Sequence, residues 1–126
     1  MNKLIIDAAH DKIFFMIISK DNNHNITYEN TKINYEKLSI LINDFLNSKN
    51  LNFRKISKIY VNRGPGSFAG IRNSLSVVKA IRLVNKTDYY SFSFQDFLGE
   101  NDTNYQNIPN LCDKNGIKKN LINPIY

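Results

Sequence analysis

Between Ile56 and Ile81 the chain reads Ile-Ser-Lys-Ile-Tyr-Val-Asn-Arg-Gly-Pro-Gly-Ser-Phe-Ala-Gly-Ile-Arg-Asn-Ser-Leu-Ser-Val-Val-Lys-Ala-Ile, and no other stretch restricts the fold as tightly. A β-branched run, Ile56–Val61, predicts a strand. Gly64, Pro65 and Gly66 predict a tight turn, because glycine reaches backbone angles that other residues resist and proline fixes φ between them. A helix is expected from about Phe68 or Ala69, with Ser67 placed to cap its free N–H groups. Strand, turn and helix in that order form one wall of a crevice in α/β proteins.

The segment Gly64-Pro-Gly-Ser-Phe-Ala-Gly-Ile-Arg72 resembles the signature of the TsaB (YeaZ) family, the glycoprotease-like, non-catalytic partner in making threonylcarbamoyladenosine on tRNA. Gly64, Pro65, Gly66, Ser67, Phe68, Gly70 and Arg72 carry the match. Ala69 stands where the family usually has Thr, and Asn73 and Ser74 replace the small residues common after the arginine.

Hydrophobic spacing organises the rest. Strands are expected at Lys3–Ala8, Lys12–Ser19 and Ile26–Ile33, with Ala9–Asp11 and Asp21–Asn25 as turns. Tyr35, Leu38, Leu41, Ile42, Phe45 and Leu46 recur at helical spacing, so one helix is predicted over Tyr35–Leu46 with Asn34 as its N-cap. A second long helix follows over Gly70–Val84, then a strand at Tyr89–Phe94 and a short helix at most over Gln95–Leu98. The order β-β-β-α-β-α-β resembles a single lobe of the actin/Hsp70/sugar-kinase (ribonuclease H-like) α/β fold. Residues 1–98 are expected to form that lobe. Residues 99–126 read as a polar, turn-rich tail or the remnant of a second lobe, with Gly99–Ile117 the least ordered part. The resemblance implies that a second lobe found in relatives is missing here.

In active members of that superfamily an acidic residue ends the first strand near the metal–phosphate group, and Asp7 occupies this place. It is either a turn cap or a vestigial phosphate-site carboxylate. The family's Asp-Thr-Ser is Asp7-Ala8-Ala9 here, which removes two hydroxyls. No Lys-Ser or Lys-Thr follows the glycines at P-loop spacing, and neither histidine, His10 or His24, sits in a metal-ligand motif. Ser67 lacks the G-x-S-x-G elbow of a hydrolase nucleophile. No catalytic residue, metal or cofactor is therefore assigned.

The single cysteine, Cys112, excludes an internal disulfide and suits a reducing, cytoplasmic setting. No apolar run is long enough to span a membrane. A net charge of +6 favours an acidic partner or RNA. The lysines are scattered along the chain, however, and Lys, Asn and Ile share A/T-rich codons. Any tRNA contact is accordingly expected to be indirect.

Two apolar stripes mark the second long helix: Ile71, Leu75 and Val78 on one side, Val77, Ala80, Ile81 and Val84 on another. A helix lying on a sheet needs only one. The surplus, with Ile40 pointing away from the main stripe of the first helix, suggests a partner interface at Ile40, Val77, Ile81 and Val84, or else mutual cover by the two helices. The resemblance implies the former, namely a scaffold that binds a TsaD-like threonylcarbamoyl transferase through its helices. A TsaE-like ATPase would assist, and a related surface would serve a homodimer. The alternatives are a degenerate nucleotide-binding member of the kinase superfamily and a vestigial paralogue.

Overall fold

The computed structural model describes residues 1–126. Its strands are β1 (Asn2–Asp7), β2 (Lys12–Ile18), β3 (Asn23–Glu29), β4 (Ile56–Asn62) and β5 (Asp88–Phe92). They form one sheet in the order β3-β2-β1-β4-β5. The first three make an antiparallel meander, whereas β1, β4 and β5 run parallel. The helices are α1 (Lys32–Tyr35), α2 (Leu38–Ser48), α3 (Phe68–Asn85) and α4 (Ile108–Lys114). Short 3₁₀ turns occupy Phe53–Lys55, Phe94–Phe97 and Tyr105–Asn107.

Side chains alternate across the pleat, so each strand feeds two cores. Leu4, Ile6, Phe15, Ile59 and Val61 face α2 and α3, where they meet Leu38, Ile42, Phe45, Ile71, Leu75 and Val78. Ile5, Met16, Tyr60 and Phe92 point the other way and meet Phe97, Ile108, Leu111 and Cys112. The parallel strands are thus apolar on both faces, as expected where helices cover a parallel sheet on each side.

Several expectations change at this level. The third strand starts three residues and ends four residues earlier than predicted, on Asn23–Glu29, so His24 belongs to a strand and not to a turn. The pattern read over Tyr35–Leu46 is two helices broken at Glu36–Lys37. Asn34 does not cap the helix; its amide donates to the Glu29 carbonyl at 2.9 Å.

The largest change concerns residues 99–126. The expectation of a polar tail overlooked Ile108, Leu111 and Cys112, which recur at helical spacing and are buried. They close the second core, so the packing runs straight across the boundary drawn at Leu98 and Gly99. Beyond α4 the chain follows the β5 edge, where the Asn120 N–H donates to Tyr89 O at 2.7 Å and Lys119 bridges to Tyr90. The Ile125 N–H donates to Arg63 O at 2.8 Å.

Burial pushes the Cys112 thiol up to about 12, with the nearby Asp113 and Asp96 carboxylates adding to the effect. The folded state thus favours the protonated thiol. Its contribution to stability is present below the ordinary thiol value and is lost as pH rises through about 12. We expect Cys112 to resist a thiol reagent at pH 8 in the native protein and to react fully once denaturant unfolds it. A native-state reaction as fast as that of the unfolded chain would contradict the burial. A chain ending at Leu98 would expose Ile5, Tyr60 and Phe92, and is expected to bind a hydrophobic dye and to lose its cooperative melting transition.

Candidate functional site

The C-terminal ends of β1, β4 and β5 gather Asp7, Asn62 and the Ser93 turn at one end of the sheet, where ligands bind in open α/β folds. A cleft of about 230 Å³ there is lined by His10, Asn62, Gly64, Pro65, Ser93, Phe94 and Gln95.

Asp7 lies beneath this cleft, only 1% exposed. Its Oδ1 accepts the Ala9 N–H at 2.9 Å, which makes it a cap of the β1–β2 turn. Its Oδ2 accepts the Asn62 amide at 3.0 Å and the Tyr105 hydroxyl at 2.6 Å, with His10 Nε2 3.6 Å away. Burial of the ring and, secondarily, the Asp7 carboxylate raise the Tyr105 phenol well above its ordinary value, so it stays a donor at all physiological pH. Tyr105 also stacks on Phe14 with ring centroids 4.1 Å apart. Sequence reasoning missed this residue because it lies 98 positions from Asp7, with no local motif to mark it.

The signature turn is pressed against the β1–β2 turn. Ser67 caps α3, its Oγ accepting the Gly70 N–H at 3.2 Å, while its own N–H donates to Ala9 O at 2.8 Å. The Gly64 N–H donates to Asn62 Oδ1 at 2.8 Å. A Cβ on Gly66 would fall inside the Ala9 carbonyl oxygen, and one on Gly70 inside that of Ala8. Glycine is required at both positions for close approach of two backbones. Gly64 additionally has φ of 107°, a region that L side chains rarely adopt. Phe68 and Arg72, the remaining signature residues, are exposed on α3. Phe68 packs on Tyr126 with centroids 4.6 Å apart, and Arg72 lines a small cleft with Lys79, Ile122 and Tyr126.

No three His, Cys, Asp or Glu side chains come together in a geometry that could hold a metal ion. Arg63, a half-buried residue just before the turn, pairs with Asp96 at 2.8 Å and donates to Asn123 O at 3.0 Å.

The proposed interface residues separate into two groups. Ile81 is 7% exposed and belongs to the core with Ile71, Leu75 and Val78, which sets it apart from the exposed members of the group. It lies three positions after Val78 and therefore extends the inward stripe. Val84 and Ile40 are 79% and 58% exposed, Val77 is half-buried, and Leu83, which the sequence reading omitted, is 75% exposed. Phe53, Val77, Ala80 and Val84 edge a groove of about 420 Å³ whose floor includes Ile81.

A family model described as TsaD, tRNA N6-adenosine threonylcarbamoyltransferase, matches residues 31–112. The chain belongs to the TsaD family. The matched span runs from the start of α1 into α4 and contains the whole Gly64–Arg72 signature. Two solved structures, YeaZ from Pseudomonas aeruginosa and a protein described as similar to peptidase YeaZ from the same organism, superpose with a TM-score of 0.67. Each is 17% identical over 73% of this chain, which spans only 43% of their length. RuvC from Thermus thermophilus, in a structure with a Holliday junction substrate, is 9% identical with a TM-score of 0.52 over 93% of this chain and 89% of its own. No curated protein matches the sequence. The fold is thus a five-stranded α/β lobe of the YeaZ and RuvC kind, as the order of elements in the sequence implied, and the TsaD family model carries the link to tRNA modification.

Because Gly70 touches backbone, Gly70→Ala cannot be relieved by a rotamer change. We expect it to destabilise the protein by about 1–3 kcal/mol in denaturant titration. Tyr105→Phe leaves an acceptor of Asp7 without its phenol donor and is expected to cost about 1–3 kcal/mol. A shift below 0.5 kcal/mol for either, roughly the scatter among surface substitutions, would contradict the packing described.

Proposed function

We propose that this chain is a non-catalytic scaffold for threonylcarbamoyladenosine modification of tRNA, binding a TsaD-like transferase through the outward faces of α2 and α3. The observation that carries this reading is the apolar groove on α3, continued by exposed Val84 and Leu83. A helix of a folded lobe normally presents polar side chains to water at these positions, and a continuous apolar stripe marks a surface that another element covers. None of the residues lining the groove is charged, so its complement is the apolar face of another helix.

The geometry at the strand ends supports a scaffold over a phosphotransferase. The glycine turn spends its Gly64, Ser67 and Gly70 N–H groups on Asn62, Ala9 and Ser67, and it lies in backbone contact with the β1–β2 turn. Asp7 is likewise committed to Ala9, Asn62 and Tyr105. A nucleotide-binding enzyme would need such groups free for phosphate and metal. Assistance by a TsaE-like ATPase, self-association through the same helices and a cytoplasmic setting belong to this reading.

Two substitutions separate interface from core. Val84→Glu places a carboxylate on an exposed position, and we expect the free protein to melt within a degree or two of wild type while capture of the TsaD-like transferase drops at least tenfold. Ile81→Glu buries a charge without a partner and is expected to cost about 3–5 kcal/mol of stability before any binding is measured. Full capture by a folded Val84→Glu protein would overturn the interface.

A further inference from the structure

The sheet face opposite α2 and α3 is covered by α4 over only part of its extent. At the other end, the strand register sets one row of side chains across this face: Asn23, Ile18, Lys3, Lys58 and Asp88, on β3, β2, β1, β4 and β5. Lys3 and Lys58 are direct neighbours on adjacent strands, which lie about 4.8 Å apart. Like charges in that relation destabilise a sheet. Lys119 joins them from the segment after α4, bridging to Tyr90 and reaching Asp88 at 3.6 Å. The Lys58 ammonium lies 5.8 Å from the centre of the Tyr90 ring. Asp88 offsets one of these charges, its Oδ2 facing Lys119 while Arg82 holds its Oδ1 at 2.7 Å and the Asn120 amide donates to that same Oδ1 at 2.9 Å; Lys3 and Lys58 have no ion pair. On the α4 side, Asp113 is exposed, Glu100 is paired with Lys114 at 2.8 Å, and Asp102 lines a cleft beside α4. Lys118, also exposed, adds a further cation next to Lys119.

On the same face, one strand beyond Ile18 and Met16 of β2, stand exposed Asn23 and Asn25 of β3, with Thr27 further along towards the Phe14 end. An acidic protein surface would be matched by the cations alone. A strand of nucleic acid is matched by cations for its phosphates together with neutral amides and hydroxyls for its sugars and base edges. We propose that this uncovered half of the sheet is a binding surface for single-stranded RNA, with Lys3, Lys58 and Lys119 contacting the phosphodiester backbone. The lysines are scattered along the sequence, and only strand pairing brings Lys3 and Lys58 together. The surface lies across the sheet from the α3 groove, so it stands or falls independently of partner binding there.

The test is fluorescence anisotropy of the full chain with a labelled single-stranded oligouridylate over a range of salt. The wild type is expected to bind, with affinity falling steeply as salt rises, by a log–log slope of about −0.7 per phosphate contacted. Lys3→Glu with Lys58→Glu should weaken binding at least tenfold and flatten the slope. Lys3→Gln with Lys58→Gln, which relieves the like-charge neighbours without adding acid, should weaken it to a smaller extent and leave the melting temperature unchanged or raised. Lys37→Glu with Lys49→Glu alters net charge equally at the two ends of α2 and should change binding by less than twofold. Three results would overturn the proposal: no binding by the wild type at low salt, equal loss in the α2 control, or competition by polyglutamate as effective as by RNA. The last would assign the face to an acidic protein.

Discussion

Two backbones touch where Gly66 and Gly70 meet the carbonyls of Ala9 and Ala8, and the rest of the molecule is arranged around that contact. It sets how deeply the first turn of α3 can settle against the end of β1. Ser67 then joins both sides, capping α3 with its hydroxyl and donating its N–H to Ala9. With α3 anchored at this depth, Ile71, Leu75, Val78 and Ile81 are delivered to the first core. The same closeness leaves the turn packed against Ala8 and Ala9, with no open loop between them. One geometric requirement therefore explains both the glycines and the character of the site.

The second core depends on a contact from far along the chain. Asp7 is buried, and a buried carboxylate is tolerated only where donors surround it. Ala9 and Asn62 supply two from nearby elements, and Tyr105 supplies the third from the segment before α4. Tyr105 stacks on Phe14 at the same time, so one side chain satisfies a polar need and extends an apolar surface. Ile108, Leu111 and Cys112 then follow it onto the sheet.

How much of this was legible beforehand varies with the range of the interactions. The strand–turn–helix at Ile56–Ile81 was readable because glycine, proline, a capping serine and a change of hydrophobic period act over a few residues. The break at Glu36–Lys37 was not, since the apolar spacing continues through it and only the backbone departs from a helix. Ile81 was placed on the wrong stripe because Val77, Ala80 and Val84 also lie at helical spacing around it; burial alone separates the two sets. The Asp7–Tyr105 pair and the Lys3–Lys58 neighbours were illegible for a different reason: each is created by chain topology. Residues 99–126 were misjudged from their Asn and Asp content, which concealed three apolar positions sufficient to dock a two-turn helix.

The strip of chain from Lys119 to Ile125 has a consequence for association. It pairs with Tyr89, Tyr90 and Arg63, so the β5 side of the sheet offers no free ladder. The opposite border, β3, is a regular strand whose outer backbone groups have no such cover. A sheet with one sealed border and one open border can add a strand on one side only. Joined through β3, two copies would form a closed pair with sealed borders at both ends, and growth into a continuous fibre by edge addition would stop there.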